Sequence, residues 1–465
     1  MNRNEPALDT KKNGNDLPVK NVILITIDCL RADHLSCYGY TRNTTPFIDS
    51  LAENGMLFTN FFANGPFTTA AFPAILSSSY PLDTGKHITL QGRTLIGELL
   101  QKEGINTAGI HSNPYLSSHF GYGRGFDYFE DFLTGGDQEG YTESFHILRK
   151  GLEKGNAFID FMTRRSPAFH DVKSLVKNFI SPRKQPYTSA HPITQSAIRW
   201  ISHVSGPFFL WVHYMDLHEP YILCNSGITI YYSRSSRLTQ SRILTLEKKY
   251  ISHIKDAYDD KLRNIDDNLQ FFFNQLEKNS LVNGTLFIIT ADHGQGFYEH
   301  GYFGHRAQYY DEILHIPLIM YHPSSGSKKS NELRSQLDIS PTISYSLGIK
   351  SPETHEGVNL FSRNDADVII SESSHDEKGL YGLGDIPLHD SHSCRSITWK
   401  YIQQFGNEEL YDLEKDPGET CNVASSNTDT LKKFRKIIDD HGNKQKKEKK
   451  KIIESIKTLK TIKKL

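Results

Sequence analysis

The chain has 465 residues, of which 37% are hydrophobic and 23% charged, and its formal net charge is −1 at pH 7. This composition is typical of a globular protein of one or two domains and excludes a disordered or fibrous chain. A net charge near zero gives no bulk electrostatic argument for nucleic-acid binding, so we expect no nucleic-acid partner.

The five cysteines are odd in number and include no CxxC pair. This pattern argues against a disulfide framework or a structural zinc site and favours a reducing compartment. Residues 1–20 lack the apolar segment of a secretory signal, and the sequence has no apolar run of about 18 residues, the length a spanning helix requires. We therefore expect a cytoplasmic protein. The sequence gives no indication of its oligomeric state.

The first predicted elements alternate between strands and helices. Residues 1–19 are polar, and we expect a flexible lead-in. Residues 21–28 (NVILITID) form a continuous apolar run that ends in a carboxylate, which predicts a buried strand of parallel type. Residues 45–54 and 95–103 predict short helices, each followed by a glycine that favours helix termination. Residues 107–111 predict a second strand.

The alternation weakens and then resumes further along the chain. Residues 134–190 show no clear pattern, and we interpret them as an insertion over the surface. The elements that follow are a helix over 196–204, a strand over 207–213, a long helix over 246–278, and strands over 285–290 and 316–321. Such alternation predicts an α/β fold with a large, mostly parallel sheet. We assign residues 20–350 to one catalytic domain.

The C-terminal part of the sequence has shorter segments. We expect a small subdomain over residues 351–425, in which residues 398–404 resemble an edge strand. Residues 426–465 predict a helix followed by a Lys-rich tail, with ten Lys against two Glu over residues 443–465. A basic amphipathic helix of this kind can lie on an anionic membrane or an acidic partner, but the sequence favours a solvated tail.

Several acidic and imidazole side chains follow predicted strands. Asp28, the segment 213–218 and Asp292-His293 all come at carboxyl ends, where ligands bind in parallel α/β sheets. Together with the hydroxyl of Thr68, the residues Asp28, Asp292 and His293 could form the ligand shell of one divalent cation. A histidine ligand favours Mn²⁺ or Zn²⁺, while Ca²⁺ or Mg²⁺ are the alternatives, since oxygen ligands also suit them.

Spacing alone does not single out Thr68, but a resemblance to a known family does. Residues 21–81 (NVILITID…RADHLSCYGY…TTPFIDSLAENGMLFTNFFA…TTAAFPAILSSSYP) resemble the N-terminal signature of the sulfatase family of the alkaline phosphatase superfamily. The segments FFLWVHYMDLHEPY (208–221) and ADHGQGFYEHGYFGHRAQYYDEILHIPLI (291–319) resemble its later motifs. The resemblance implies an alkaline phosphatase-like three-layer sandwich with a smaller C-terminal subdomain, and it places Thr68 at the nucleophile position.

The sequence departs from the family pattern at four positions. The family oxidises Cys or Ser to formylglycine, which Thr68 cannot give, and Phe72 stands where the family has Arg. Cys29 replaces the second Asp of an Asp pair, and His293 replaces an Asn. Thr68 is similar to the unmodified Thr of related phosphodiesterases and phosphoglycerol transferases. An unmodified hydroxyl would form a covalent enzyme ester. This chemistry favours phosphate esters as substrates, and sulfate esters stay an open alternative.

The resemblance also implies roles for other side chains. His218 would act as general acid to the leaving oxygen or as a donor to the anion, and His305 would lie near the anion. Arg31, Asn113 and His300 are candidate substrate contacts. For Arg31 the alternative is pairing with Asp33. His213 lies within a strand, and we interpret it as a packed core residue.

Three functions remain open at this stage. The leading hypothesis is a single-metal hydrolase of a small-molecule or glycan sulfate or phosphate ester. The second is a two-metal phosphodiesterase or phosphotransferase, in which Asp216, His218 and His305 would hold a second cation. The third is a binding protein that keeps the fold but has lost turnover. The specificity elements are expected within residues 134–190.

Overall fold

The computed structural model describes the chain with several gaps. The described residues are 19–84, 90, 92–133, 187–219, 221–225, 228–232, 240–305, 307–363, 366–375 and 389–462. The predicted insertion at 134–190 therefore lies almost wholly outside them, as does the predicted lead-in at 1–19.

The elements are numbered in chain order. The strands are β1 (Asn21–Ile27), β2 (Met56–Phe58), β3 (Phe61–Phe62), β4 (Asn106–Ile110), β5 (Tyr128–Glu130), β6 (Phe208–Tyr214), β7 (Tyr221–Asn225), β8 (Ile228–Tyr232), β9 (Thr285–Ala291), β10 (Gly296–Phe297), β11 (Phe303–Gly304), β12 (Leu318–Tyr321), β13 (Lys328–Ser330), β14 (Arg334–Ser335), β15 (Ile369–His375), β16 (His389–Arg395), β17 (Trp399–Gln404) and β18 (Asn407–Asp412). The α-helices are α1 (Pro46–Asn54), α2 (Thr68–Ser77), α3 (Ile96–Lys102), α4 (Ala190–Ile201), α5 (Gln240–Lys278), α6 (Asp311–Leu314), α7 (Ile339–Ser346) and α8 (Thr428–Ile462).

The main sheet has eight strands in the order β13-β2-β12-β9-β1-β6-β4-β5. Strands β9, β1, β6, β4 and β5 run parallel, and β12 is antiparallel to both of its neighbours. Every residue of β1, β6 and β9 is buried, as expected for central strands covered on both faces. The α/β fold class and the large, mostly parallel sheet are thus confirmed.

Helices form layers on both sides of this sheet. Helix α5 contacts α1 and α4, while α2 and α3 both contact α7. On α5 the side chains of Leu262, Ile265 and Leu269 share one apolar face and are buried, which accounts for its packing. Among the described helices, none combines the length and the apolar character needed to cross a bilayer.

A second sheet follows the main one in the chain. Strands β15-β16-β17-β18 form an antiparallel meander, so β17 lies inside this sheet. The prediction of an edge strand at 398–404 is therefore wrong. Strand β18 covers the outer side of β17, and its short, polar sequence has only a weak strand pattern, so the sequence did not indicate it. Helix α8 continues through the Lys-rich segment to Ile462. The domain boundaries at 350 and 425, and the tail's membrane or acidic partner, stay predictions.

One buried carboxylate ties helix α8 to the second sheet and to the segment that follows α2. Glu372 of β15 is fully buried, and its Oε1 accepts from the backbone N–H of Leu82 and from Gln445 Nε2, both at 2.8 Å. Its Oε2 lies 2.9 Å from His441 Nε2. His441 and Gln445 are one turn apart on α8. Burial by itself raises the pKa of Glu372, but the His441 hydrogen bond, the charges of His441 and His392, and the Leu82 N–H together lower it.

We expect Glu372→Gln to lower the free energy of unfolding by about 1–3 kcal/mol, because its amide NH₂ would face groups that already donate. The measurement is the midpoint of urea unfolding. Glu356→Gln is the matched control, since Glu356 pairs with Lys444 of the same helix at the exposed surface and should contribute little. Equal midpoint shifts in the two variants would contradict a special role for the buried carboxylate.

Candidate active site

Two carboxylates meet at the carboxyl edge of the main sheet. Asp28 follows β1 and Asp292 follows the neighbouring β9, and neither side chain is exposed to solvent. The Asp28 N–H continues the ladder to Tyr214 O at 2.9 Å, and Cys29 then turns the chain at φ 62°, a left-handed conformation that is strained for a side chain of this kind. The backbone thus fixes both carboxylates in place.

Thr68 brings a hydroxyl to these carboxylates. It is the first residue of α2, and its Oγ1 lies 3.4 Å from Asp28 Oδ2 and 3.3 Å from His293 Nε2. Its side chain is almost wholly buried. Because the N-terminus of a helix carries a partial positive charge, this position stabilises negative charge developing on Oγ1.

The pKa values of the two carboxyl groups are shifted in opposite directions, although burial acts to raise both. The pKa of Asp292 is raised by burial and by the negative charge of Asp28. Burial also acts to raise the pKa of Asp28, but the imidazoles of His213, His218 and His293 outweigh it and lower that pKa. The two groups therefore repel each other, and a cation between them would relieve the repulsion.

Three imidazoles form a row beside the carboxylates. The ring centroids of His293 and His305 are 4.3 Å apart, and those of His305 and His218 are 5.1 Å apart. Each Nδ1 lies near an oxygen: Gly294 O at 2.9 Å for His293, Gln295 Oε1 at 2.8 Å for His305, and Glu219 O at 2.6 Å for His218. A carbonyl oxygen only accepts, so Nδ1 donates, and Nε2 is the nitrogen that serves the site.

The glycine after His293 has a packing reason. A Cβ on Gly294 would lie 2.1 Å from the backbone oxygen of Glu312. The Gly294 N–H donates to Ile313 O at 2.7 Å, so the segment after β9 runs directly against the chain at α6. This close approach holds the Asp292-His293 pair in position.

The arrangement of donor atoms fits a divalent cation. Donor atoms about 2.1 Å from a tetrahedral cation lie about 3.4 Å from one another. Thr68 Oγ1, His293 Nε2 and the facing carboxylate oxygens are separated by 3.3–3.5 Å. Asp292 Oδ2 is buried and accepts no hydrogen bond from the described residues. The predicted ligands Asp28, Thr68, Asp292 and His293 therefore suit a cation chemically and in spacing.

Two sets of candidate ligands occur in the described part of the chain. One consists of Asp28, His213 and Asp292, and the other of Cys29, His293 and His305, with the donor atoms of each set within 4.8 Å of one another. Asp216, His218 and His305, predicted for a second cation, form no such set among the described residues. Asp216 Oδ1 instead accepts from the Ala190 N–H at 3.2 Å, at the start of α4.

Arg31 has other partners in the structure. Its guanidinium binds Asp33 at 2.6 and 2.8 Å, Glu299 at 2.8 Å and Gln295 O at 2.9 Å. Burial lowers the pKa of Arg31, but the charges of Asp33 and Glu299 outweigh this and raise it. Arg31 thus pairs with Asp33, as the alternative interpretation states, and its substrate role stays a prediction.

Asn113 and His300 are likewise engaged locally. Asn113 Oδ1 accepts from the Tyr115 N–H at 3.0 Å and caps a short 3₁₀ turn. His300 stacks on Tyr310 with ring centroids 3.6 Å apart, and its two nitrogens lie 2.7 Å from Glu312 Oε1 and 3.1 Å from Glu419 O. These contacts explain both side chains structurally, and their substrate roles stay predictions.

The sequence interpretation missed two residues of the site. His213 is buried, as expected for a core residue, but its Nε2 also lies 3.8 Å from Asp28 Oδ2. Cys29 Sγ lies 2.8 Å from Asp28 Oδ1 and 3.4 Å from His305 Nδ1. The signal for His213 was its position near the end of a predicted strand, the location at which Asp28 and Asp292 also lie. For Cys29 it was adjacency to Asp28.

Strand-end carboxylates, a helix-terminal hydroxyl and a row of imidazoles thus meet at the carboxyl edge of an α/β sheet. Comparison with known proteins gives the family. Residues 20–349 match the model described as Sulfatase, and residues 298–448 match that of the N-sulphoglucosamine sulphohydrolase C-terminal region. The first match spans more than two thirds of the chain, so the chain belongs to the sulfatase family. The prediction of a sulfatase-like ester hydrolase is confirmed.

Curated relatives are distant but align over most of the chain. An arylsulfatase of Clostridium perfringens is 22% identical, with 87% of this chain and 90% of the relative covered. A Δ4,5-hexuronate-2-O-sulfatase of Bacteroides thetaiotaomicron is also 22% identical, with 90% and 87% covered.

Solved structures show the same fold. A 2-O GAG sulfatase superposes with a TM-score of 0.69 at 19% identity and covers 92% of this chain and 93% of its own. A phosphonate monoester hydrolase of Agrobacterium radiobacter has a TM-score of 0.65 at 18% identity, with 91% and 96% covered. The alkaline phosphatase-like fold is thus confirmed.

We expect Asp292→Asn to have opposite effects with and without metal. The substitution removes a buried like charge, so the metal-free protein should melt at a higher temperature than the metal-free wild type. At a metal concentration of 100 times Kd, Mn²⁺ or Zn²⁺ should stabilise the wild type by about 2.7 kcal/mol. The Asp292→Asn variant should lose most of this stabilisation. Thermal melts with a chelator and with each metal measure both effects.

Asp266→Asn is the control for this experiment. Asp266 is another buried carboxylate, but it accepts from the N–H groups of Phe47 and Ile48 at the start of α1. Its variant should be less stable yet keep the full response to metal. A wild type that melts at the same temperature with and without metal would refute the cation site.

Proposed function

We propose that the protein is a metal-dependent hydrolase that cleaves a sulfate or phosphate ester with Thr68 as the nucleophile. The observation that carries the proposal is the position of Thr68 Oγ1, 3.4 Å from a buried carboxylate and 3.3 Å from a histidine nitrogen at the end of a helix. A buried hydroxyl in contact with both groups is placed to lose its proton and attack.

The residues divide the reaction between them. Asp28, Thr68, Asp292 and His293 would hold the cation, which when bound lowers the pKa of the Thr68 hydroxyl and polarises the ester. Thr68 releases its hydroxyl proton to solvent as Oγ1 attacks the phosphorus or sulfur atom, and the bond to the leaving oxygen breaks. His218 donates a proton from Nε2 to that oxygen, while His305 binds the anion. Water then attacks the Thr68 ester and gives one proton to His218 Nε2, while Thr68 Oγ1 leaves and regains a proton from solvent.

The substrate class follows from the nucleophile and from the relatives. Relatives are named as sulfatases, including enzymes for hexuronate and N-acetylglucosamine sulfates, and neighbours by structure include phosphonate monoester hydrolases. The aldehyde hydrate of formylglycine assists breakdown of the family's enzyme ester by elimination, and a sulfo-threonine lacks that route. We therefore expect a small-molecule or glycan ester, with phosphate esters turned over faster than sulfate esters of the same alcohol.

A second candidate is a two-metal phosphodiesterase or phosphotransferase. It is favoured by the second set of donor atoms, Cys29, His293 and His305, directly beside the first. Elemental analysis of the purified protein separates the two candidates, because the leading proposal requires one cation per chain and the second requires two.

We expect Thr68→Ala to lower kcat/KM by at least about 10³-fold for every ester that the wild type cleaves, since the nucleophile is lost. Thr68→Ser should retain measurable turnover. The assay uses 4-nitrophenyl sulfate, phosphate, phosphodiester and phosphonate with Mn²⁺ or Zn²⁺. Thr69→Val is the matched control, because Thr69 is the next buried residue of the same helix and should keep near-normal activity.

Two outcomes of this panel would decide against the proposal. Activity that is unchanged in Thr68→Ala would remove the nucleophile assignment. A wild type that binds each ester without cleaving it would show a binding protein that has kept the fold.

We expect the effect of His218→Gln to depend on the leaving group. A general acid matters most when the leaving oxygen is basic, so kcat/KM should fall about 10²–10⁴-fold for an alkyl ester and far less for the 4-nitrophenyl ester. A series of leaving groups with different pKa values measures this dependence. An equal loss for all leaving groups would assign His218 to anion binding instead.

A further inference from the structure

His213 lies among the groups that would hold the cation, although its strand position is typical of a core residue. Strand β6 pairs with β1 in parallel, with His213 opposite Thr26 and Tyr214 opposite Ile27. Because side chains alternate along a strand, His213 lies on the same side of the sheet as Thr26. Its side chain is fully buried, and its Nε2 groups with the carboxylate oxygens of Asp28 and Asp292 within 4.8 Å.

A hydrogen-bonded chain determines which nitrogen of His213 carries the proton. Thr26 Oγ1 accepts from Trp211 Nε1 at 3.0 Å and donates its single proton to Val212 O at 3.3 Å. Its distance to His213 Nδ1 is also 3.0 Å. With the hydroxyl proton directed to a carbonyl, Thr26 Oγ1 accepts from Nδ1–H, and the lone pair of His213 is then on Nε2.

This orientation leaves the lone pair facing negative charge. Nε2 lies 3.8 Å from Asp28 Oδ2, which is longer than a hydrogen bond, and no described residue donates to it. A lone pair and two carboxylates repel one another in a buried site unless a proton or a metal cation lies between them, and 3.8 Å is too long for a proton shared directly with Asp28. A nitrogen with its lone pair directed inward and its other nitrogen fixed by a hydrogen bond is the usual arrangement of a metal-ligating histidine.

We propose that His213 is a further protein ligand of the active-site cation, and that Thr26 and Trp211 are positioning residues that hold its Nε2 towards the metal. The proposal rests on the cation site of the proposed function and adds a second imidazole to Asp28, Thr68, Asp292 and His293. Two nitrogen ligands favour Zn²⁺ or Mn²⁺ over Ca²⁺ and Mg²⁺, which prefer oxygen.

The surroundings of His213 keep its ring in this orientation. Phe72 of α2 packs edge-on against the ring with centroids 5.2 Å apart, and Phe72 also packs on Trp211 at 5.3 Å. Apolar rings on this side provide no competing acceptor for Nε2. The same helix carries Thr68 at its first residue, so the nucleophile and the packing of His213 are fixed by one element.

Metal titration of the full-length protein tests the proposal. After removal of bound metal with a chelator, isothermal titration calorimetry with Zn²⁺ and with Ca²⁺ gives the affinities of the wild type, His213→Gln and Thr26→Val. We expect His213→Gln to weaken Zn²⁺ binding by about 100-fold or more, and Thr26→Val by about 10-fold, with little change for Ca²⁺. The visible absorption of bound Co²⁺ should change in His213→Gln, because a nitrogen ligand is lost.

His322→Gln is the matched control. His322 is another fully buried histidine, follows β12, and belongs to neither set of candidate ligands. Its variant should bind Zn²⁺ as the wild type does. If His213→Gln does not fold, Thr26→Val still decides the question, because it removes the hydroxyl with little change in volume.

The outcomes separate this proposal from the proposed function. Zn²⁺ binding that is unchanged or tighter in both His213→Gln and Thr26→Val would overturn the inference, as expected if His213 is a protonated counter-ion of the carboxylates. A wild type that binds Zn²⁺ but cleaves no ester would refute the proposed hydrolase. The Zn²⁺ affinities of His213→Gln and Thr26→Val would still decide whether His213 is a ligand. A wild type that binds no metal would overturn both.

Discussion

Two carboxylates, Asp28 and Asp292, are buried side by side at the ends of adjacent parallel strands. Removing ionised groups from water costs several kcal/mol each unless opposite charge compensates. Among the described residues, this compensation comes from the N-terminus of α2, which carries Thr68, and from nearby imidazoles. Arginine at this edge is already paired, since Arg31 binds Asp33 and Glu299. A cation bound between the two carboxylates would complete this compensation, and Thr68 and His293 place further donor atoms beside that position.

The histidines around this pair follow one rule. His293, His305 and His218 each place Nδ1 against an oxygen of the protein, and for His293 and His218 that oxygen is a backbone carbonyl. A backbone carbonyl cannot change its role, so the tautomer is set by the fold and not by the ligand. The row therefore presents its Nε2 atoms as ligands, bases or, when protonated, acids.

The sequence predicted those parts of the site that follow directly from strand ends. Asp28 and Asp292 terminate apolar runs, and a parallel sheet brings such ends to one edge, so no knowledge of strand order was needed. His213 depends on order and register: only the pairing of β6 with β1 places it opposite Thr26 and near Asp28. The contacts of His300 depend on Glu419, over a hundred residues away, which no local pattern indicates. Strand β17 was predicted at the edge of its sheet because the sequence of its outer neighbour, β18, is short and polar and gives a weak strand pattern.

The departures from the sulfatase pattern are easier to understand together than singly. Phe72 replaces a cation with an apolar ring, and that ring packs against His213. Cys29 and His293 replace oxygen donors with sulfur and nitrogen, and both lie next to His305. An arginine at position 72 would bring a permanent positive charge to the place where an imidazole meets two carboxylates. With Phe72 there, the charge balance would fall to a bound cation and the imidazoles. Under the proposed function, a threonine hydroxyl, less reactive than an aldehyde hydrate, would depend on such a centre to lower its pKa, which would link the change at position 68 to the change of surrounding donors.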